Sequence, residues 1–151
     1  MFYPRIIHAN TDACTGCKMC EMVCSLIHSN TGINPKHSRI KISENIDKGV
    51  FIPLICHFCE DASCIEVCPK SALSKDKKTN AILVDEENCT SCGLCCKECK
   101  YDAIFLHPEK NIVCVCDLCN GRPKCVEYCL QNALVFEQSK RQGSKNTRNS
   151  D

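Results

Sequence analysis

The sequence has no tryptophan, and its 151 residues include only three tyrosines and five phenylalanines. Aromatic side chains supply much of the area buried in ordinary cores, so a core filled by large side chains is not expected. The formal net charge of +1 at pH 7 leaves no basic footprint for nucleic acid. No apolar run approaches the roughly 18 residues that a membrane-spanning helix needs. We therefore expect neither a nucleic-acid-binding protein nor a membrane span.

The first eight residues carry no apolar signal-peptide region and no twin arginine. This predicts a cytoplasmic chain, in a compartment where thiols stay reduced. Cysteine spacing in such a protein indicates a metal site more often than a disulfide framework.

Cysteine is the abundant residue, at 18 of 151 positions. Sixteen of the cysteines form four groups, and the spacers inside the groups are 2-2-3, 2-4-3, 2-2-3 and 2-5-3 residues long. The groups are Cys14, Cys17, Cys20 and Cys24; Cys56, Cys59, Cys64 and Cys68; Cys89, Cys92, Cys95 and Cys99; and Cys116, Cys119, Cys125 and Cys129. In the last three groups the final cysteine is followed four residues later by Ala72, Ala103 or Ala133, whereas the first group continues differently through Ser25. The chain is therefore built on an internal repeat.

This spacing favours cubane iron–sulfur clusters. Three cysteines close together in a tight loop reach three irons of one [4Fe–4S] cluster, and in bacterial runs of this kind the fourth cysteine ligates the other cluster of a pair. Sixteen cysteines in four groups match the sixteen irons of four clusters. Zinc sites use C-x2-C pairs a dozen or more residues apart, so the closely spaced triplets argue against zinc.

Cluster loading is predicted to make the chain acidic. Each oxidised cubane with four thiolates carries about −2, so four clusters change the formal charge from +1 to about −7. We expect retention on an anion exchanger to rise sharply on loading, with the cluster-free chain as the control. Equal retention of the two forms would contradict loading with four clusters.

The remaining cysteines and the histidines are given structural roles. Cys96 and Cys114 are predicted to be small apolar fillers, with replacement of a lost ligand as the alternative. His57 lies between Cys56 and Cys59 and is predicted to donate a hydrogen bond that tunes a cluster. The other histidines are expected at the surface or in local hydrogen bonds; they are His8, His28, His37 and His107.

Short runs rich in valine, isoleucine and phenylalanine predict strands. They lie at residues 39–42, 50–52, 81–84, 104–106, 112–113 and 134–136, with polar connectors expected at residues 43–49 and 74–80. The three-residue spacer before the last cysteine of each group fits one turn of helix. Residues 138–151 contain no apolar side chain and are predicted to form a disordered tail.

Residues 14–25, 34–42, 53–69 and 116–129 together resemble a known family. They are similar to the four-cluster, ferredoxin-type electron-transfer subunits of molybdenum and tungsten oxidoreductases, carbon monoxide dehydrogenases and hydrogenases. The short chain and residues 34–42 look most like the small iron–sulfur subunit of tungsten aldehyde oxidoreductases and their benzoyl-CoA-reductase relatives. The resemblance covers roughly residues 5–137, and it departs at Ser63 and at Ser25, Lys100 and Leu130, where the family often has proline.

The resemblance implies an α+β fold of two nested bacterial-ferredoxin-like units, with short β-hairpins and short helices around four cubane clusters. Residues 50–108 would form the inner unit, and residues 1–49 with 109–137 the outer unit. The implied ligand sets are Cys14, Cys17, Cys20 and Cys129 (site 1); Cys24, Cys116, Cys119 and Cys125 (site 2); Cys56, Cys59, Cys64 and Cys99 (site 3); and Cys68, Cys89, Cys92 and Cys95 (site 4). Spacing alone equally allows two tandem ferredoxins, with group one paired to group two.

The function that this predicts is electron transfer between a catalytic oxidoreductase subunit, of the tungsten or molybdenum type, and a second redox subunit or ferredoxin. No nucleophile–base pair, phosphate loop or open metal site is found in the sequence, so no catalytic residue is assigned. The alternatives are an electron-transfer subunit of carbon monoxide dehydrogenase, hydrogenase or formate dehydrogenase, a free polyferredoxin, an enzyme with a three-cysteine cluster, and a maturation factor with labile clusters. Cluster exposure suggests an anaerobic host.

The side chains expected to shield the clusters are Met19, Met22, Val23, Ile65, Val67, Leu94 and Val126.

Overall fold

The computed structural model describes residues 5–138. Of the tail predicted at residues 138–151, Gln138 ends a strand and residues 139–151 lie outside the described residues. Four short helices and eight short strands make up the described chain. The helices are α1 (Met19–His28), α2 (Ser63–Glu66), α3 (Leu94–Glu98) and α4 (Lys124–Glu127). The strands are β1 (Arg5–Ala9), β2 (Lys41–Asn45), β3 (Val50–Leu54), β4 (Leu73–Lys75), β5 (Ile82–Val84), β6 (Phe105–Leu106), β7 (Val113–Cys114) and β8 (Leu134–Gln138). The prediction of an α+β chain of short hairpins and short helices is confirmed.

The strands form four antiparallel pairs, and only one of the pairs joins distant parts of the sequence. Three pairs are formed by consecutive strands, namely β2 with β3, β4 with β5, and β6 with β7. The fourth joins β1 to β8, with Ile7 opposite Phe136 and Ala9 opposite Leu134. This pair brings the start of the described chain to its end. Helix α1 accordingly contacts α4, and α2 contacts α3.

Polar residues extend two of the hairpins beyond their predicted ends. Residues 43–45 belong to β2 and residues 74–75 to β4, so the expectation that these were connectors is wrong. The β4–β5 turn is closed by Asp76, whose carboxylate accepts hydrogen bonds from the Thr79 hydroxyl at 2.6 Å and the Thr79 N–H at 3.2 Å. Backbone bonds close the same turn, because the Asp76 N–H donates to the Ala81 carbonyl and the Asn80 N–H donates to the Asp76 carbonyl, both at 2.8 Å.

Two small apolar cores hold these elements together. The first contains Ile7, Ile40, Ile55, Phe58 and Leu118, and buried cysteines of the first and fourth groups pack within it. The second contains Leu73, Ile82, Ile104, Val113 and Val115 and packs against cysteines of the second and third groups. Cysteine sulfur is therefore part of the interior in both halves of the molecule.

Candidate iron–sulfur centres

Four separate cavities in the structure are each lined by four cysteines. The cysteines around them are Cys14, Cys17, Cys20 and Cys129; Cys24, Cys116, Cys119 and Cys125; Cys56, Cys59, Cys64 and Cys99; and Cys68, Cys89, Cys92 and Cys95. These groupings have the same members as sites 1 to 4. The cavities of sites 1 and 2 join cysteines of the first and fourth groups because β1 pairs with β8 and α1 packs on α4.

The loop between the first two cysteines of each group repeats one backbone conformation. The residue just before the second cysteine has a positive φ in all four groups: 70° at Gly16, 51° at Phe58, 54° at Ser91 and 58° at Leu118. A left-handed residue within a turn directs successive N–H groups into one concavity, a geometry that binds anions and is common at Fe–S sites. The loops thus offer N–H groups to a cluster that carries negative charge.

A second repeated turn follows the last cysteine of groups two, three and four. Its third residue has φ near 50°, at Ser71, Asp102 and Asn132. The next residue is a buried alanine in all three groups. In groups two and three its N–H donates to sulfur, because Ala72 N lies 3.3 Å from Cys68 Sγ and Ala103 N lies 3.4 Å from Cys99 Sγ. The shared alanine of the sequence repeat therefore marks a tight turn, which in these two groups donates a hydrogen bond to a candidate ligand. The first group lacks this turn because α1 continues to His28.

Burial makes the thiolate form of seven of these cysteines costly without a metal. It raises the pKa of Cys20, Cys56 and Cys95 to about 12 and that of Cys116 well above its ordinary value. Iron binding requires thiolates, and the bound metal compensates for their lost hydration. Four cysteine sulfurs around one cavity are therefore a donor set that fits a [4Fe–4S] cluster.

Exposure differs among the four sites. Cys17, Cys59 and Cys92 are exposed, so sites 1, 3 and 4 each present one ligand to solvent. At site 2, Cys24, Cys116 and Cys125 are all buried. Site 2 is therefore the most enclosed of the four.

A polar network at site 2 was not predicted from the sequence. The His28 side chain is 10% exposed, and its Nε2 lies 3.2 Å from Asp117 Oδ2. Arg39 Nη1 donates to the same oxygen at 2.7 Å. His28 does form the expected local contact, with Cys24. The prediction did not include its second partner, Asp117, which lies 89 residues further along the chain. The i to i+4 spacing from Cys24 was the one available signal.

The network alters the acid–base properties of its members. Burial alone would lower the pKa of His28, but hydrogen bonds to Asp117 and Cys24 outweigh it and raise the pKa to about 9. Burial alone would likewise raise the pKa of Cys24, but hydrogen bonds from His28 and the Arg39 N–H outweigh it and lower the pKa. The raised pKa of His28 and the lowered pKa of Cys24 indicate that the imidazolium and the thiolate stabilise each other.

The other predicted side chains fall into three cases. His57 stacks on Tyr101 beside site 3, with ring centroids 3.7 Å apart, and its role as a donor to a cluster stays a prediction. His37 is buried and contacts Glu109 at 3.2 Å, so the expectation of a surface or local role is wrong for this residue. Met19 and Leu94 were predicted to shield clusters from water. The two residues are 38% and 41% exposed, so much of each one faces solvent.

The two surplus cysteines do not line any of the four cavities. Cys114 is buried on β7, and Cys96 packs against the second core. Burial raises the pKa of both thiols. Both positions suit a small apolar side chain, in agreement with the predicted filler role.

Comparison with known proteins identifies the family. Residues 48–139 match the family model described as the 4Fe-4S dicluster domain. The chain belongs to this 4Fe–4S family. The matched segment holds cysteine groups two to four, and group one lies before it.

Two curated relatives match a larger share of the chain than the family model does. The aliphatic sulfonate oxidoreductase, polyferredoxin-like subunit of Pyrococcus furiosus is 44% identical over 118 residues, covering 78% of this chain and 67% of that protein. The electron transport protein HydN of Escherichia coli is 32% identical over 155 residues, covering 87% of this chain and 86% of that protein. The chain is thus an iron–sulfur electron-transfer protein with several [4Fe–4S] clusters, similar to electron-transfer subunits of oxidoreductases.

The fold is also found in a solved structure. The active site complex BamBC of benzoyl coenzyme A reductase, in complex with zinc, contains a chain that is 26% identical, with a TM-score of 0.56. The match covers 93% of this chain and 82% of the other. Within residues 5–138, no helix combines the length and apolar character needed to cross a bilayer.

Proposed function

We propose that this chain is a non-catalytic relay subunit that holds one [4Fe–4S] cluster in each of its four cavities. The observation that carries the proposal is that sixteen cysteines divide into four cavities with four cysteines around each. Four thiolates occupy all four irons of a cubane, so no iron is left open for a substrate. The clusters supply one-electron redox chemistry, and the chain binds them, insulates them and tunes their potentials.

We further propose that the sites form two nested ferredoxin-like units, with the inner unit at residues 50–108 and the outer unit at 1–49 with 109–137. The pairing of β1 with β8 supports the outer unit, and the contact of α2 with α3 supports the inner one. The β2–β3 hairpin spans the boundary at residue 49 and links the two units.

The order of electron transfer that we propose is site 1, site 2, site 3, site 4. Cys20 of site 1 and Cys24, Cys116 and Cys125 of site 2 share the first core, and Cys56 of site 3 packs against it. Cys56 also packs against the second core, which contains cysteines of sites 3 and 4. Enclosed site 2 would exchange electrons through its neighbours, while Cys17 and Cys92 give the two terminal sites contact with partners.

The partners that we propose are a catalytic oxidoreductase subunit of the tungsten or molybdenum type and a second redox subunit or ferredoxin. The similarity to a subunit of an aliphatic sulfonate oxidoreductase and to a chain of the BamBC complex supports a catalytic partner. The metal type rests on the resemblance of residues 34–42 to tungsten aldehyde oxidoreductase subunits. We propose the cytoplasm as the compartment, because the sixteen proposed ligands need to stay reduced until they bind iron.

Purification of the tagged chain from its native host, without oxygen, tests the partner proposal. Iron, tungsten, molybdenum and nickel are quantified, and co-purifying chains are identified. Tungsten or molybdenum in a large co-purifying subunit is the expected result. Nickel would reassign the partner to carbon monoxide dehydrogenase or hydrogenase, and iron without any partner would favour a free polyferredoxin.

A further inference from the structure

The sulfur of Cys24 at site 2 lies next to two hydrogen-bond donors. The Arg39 N–H donates to Cys24 Sγ at 3.3 Å, and His28 Nδ1 lies 3.5 Å from the same sulfur. Hydrogen bonds to the sulfurs are one of the means by which a protein sets the reduction potential of an iron–sulfur cluster. At the same site, the N–H of Leu118 donates to Cys116 Sγ at 3.5 Å.

The same sulfur also lies beside a net positive charge. His28 Nδ1 is 2.8 Å from the Cys24 carbonyl oxygen, and Nε2 is 3.2 Å from the Asp117 carboxylate. Both neighbours are acceptors, so both ring nitrogens donate and the imidazole is a cation. Arg39 pairs with the same carboxylate. Two cations therefore share one anion beside the site 2 ligand.

Site 1, the proposed neighbour in the same unit, has a buried acidic side chain beside a ligand, whereas the cation that lines its cavity, Lys18, is exposed and paired with Glu44. Its ligand Cys20 is followed by Glu21, whose side chain is buried and accepts a hydrogen bond from the Ile42 N–H at 2.6 Å. A buried carboxylate opposes the addition of negative charge at site 1.

We propose that His28, Asp117 and Arg39 act as a positioning network that raises the reduction potential of the site 2 cluster above that of site 1. In this step the oxidised cluster accepts one electron from an external reductant, and no proton or bond is exchanged. The donors and the net positive charge stabilise the added electron, so site 2 fills before site 1. Within the relay, the enclosed site 2 therefore holds an electron more readily than site 1 does. This inference rests on the ligand sets of the proposed function.

An anaerobic redox titration of the full chain, followed by electron paramagnetic resonance, tests the proposal. His28→Phe keeps a ring of similar size and removes both ring N–H donors of His28 and the positive charge of its imidazole. The signal that appears first on reduction is expected to shift to lower potential in this variant. The expected shift corresponds to at least a tenfold change in the reduced-to-oxidised ratio of the cluster, about 59 mV for one electron. The later signals are expected to stay in place. His37→Gln is the matched control, because His37 pairs with Glu109 and not with sulfur, and it is expected to move no signal.

Two further variants separate electrostatics from general loosening of the fold. Asp117→Asn keeps the oxygen that accepts from the Cys119 N–H at 2.9 Å but removes the carboxylate oxygen that pairs with His28 and Arg39, so the first signal is expected to fall by less than in His28→Phe. His28→Gln keeps a neutral donor and loses the charge, so a smaller downward shift is expected even if His28→Phe loads poorly. An unchanged titration in both His28 variants, or an equal fall in Asp117→Asn, would overturn the inference.

Iron analysis separates failure of this inference from failure of the proposed function. Wild-type chain with about 16 irons and no shift in the variants contradicts the network alone. Wild-type chain with about 12 irons or fewer contradicts the ligand sets on which the network depends.

Discussion

Replacing Cys116 with alanine is expected to remove one whole cluster, whereas replacing Cys114 is expected to remove none. Cys116 lines the cavity of site 2, and Cys114 lies two residues earlier on β7. The two side chains are similarly buried, with 7% and 6% of their surface exposed, so the packing lost on truncation is closely matched. Purified without oxygen, Cys116→Ala should hold about 12 irons and Cys114→Ala about 16.

The neighbouring pair Cys95 and Cys96 repeats this comparison at site 4. Cys95 lines the cavity and is expected to be required for its cluster, and Cys96 is expected to be dispensable. Loss of four irons from Cys114→Ala or Cys96→Ala would show that a surplus cysteine is a ligand. Full iron content in Cys116→Ala would show that another side chain replaces it.

Gly16→Ala is expected to destabilise site 1 strongly. Gly16 has a φ of +70°, and a Cβ at this position would lie 2.8 Å from Phe51 Cγ and closer still to the edge of the ring. The left-handed backbone and the overpacking together are expected to cost about 3 kcal/mol. The loop of Cys14 and Cys17 would then no longer meet the other ligands of site 1. We expect about 12 irons per chain and a lower temperature at which the cluster absorbance is lost.

Gly93→Ala separates the two causes of this effect. Gly93 has a similar φ of +73° in the third cysteine group, but a Cβ there meets nothing within 4 Å. Its expected cost is the backbone strain alone, about 1 kcal/mol, with full iron content. Phe51→Ala is expected to restore iron to Gly16→Ala. Equal losses in the two glycine variants would show that backbone strain dominates and that the Phe51 contact is unimportant.

The hairpins were predictable where one arm is apolar, and they were missed where an arm is polar. The runs at residues 50–52 and 134–136 lie within β3 and β8, and the run at residues 81–84 begins one residue before β5. β1 was not predicted, because its partner β8 lies at the far end of the described chain and local sequence carries no signal for that pairing. The polar residues of β2 and β4 face solvent on short, two-stranded sheets, so alternation of apolar and polar side chains is not required of them.

The cysteine repeat predicted which residues could bind clusters, but spacing alone left two pairings of the groups open. The choice depends on long-range packing, such as that of α1 on α4, which no local pattern encodes. The positive φ before the second cysteine was signalled by glycine only at Gly16. At Phe58, Ser91 and Leu118 the surrounding fold imposes it on residues that disfavour it. The contact between His28 and Asp117 was hidden for the same reason, since 89 residues separate the partners.

The most direct test of the account is the number of irons and of reversible electrons in the full chain, purified without oxygen. We predict about 16 irons with matching sulfide, and four one-electron reductions that reverse on reoxidation without loss of iron. About 12 irons or fewer in intact protein, or iron lost during the first reduction, would contradict a four-cluster electron relay.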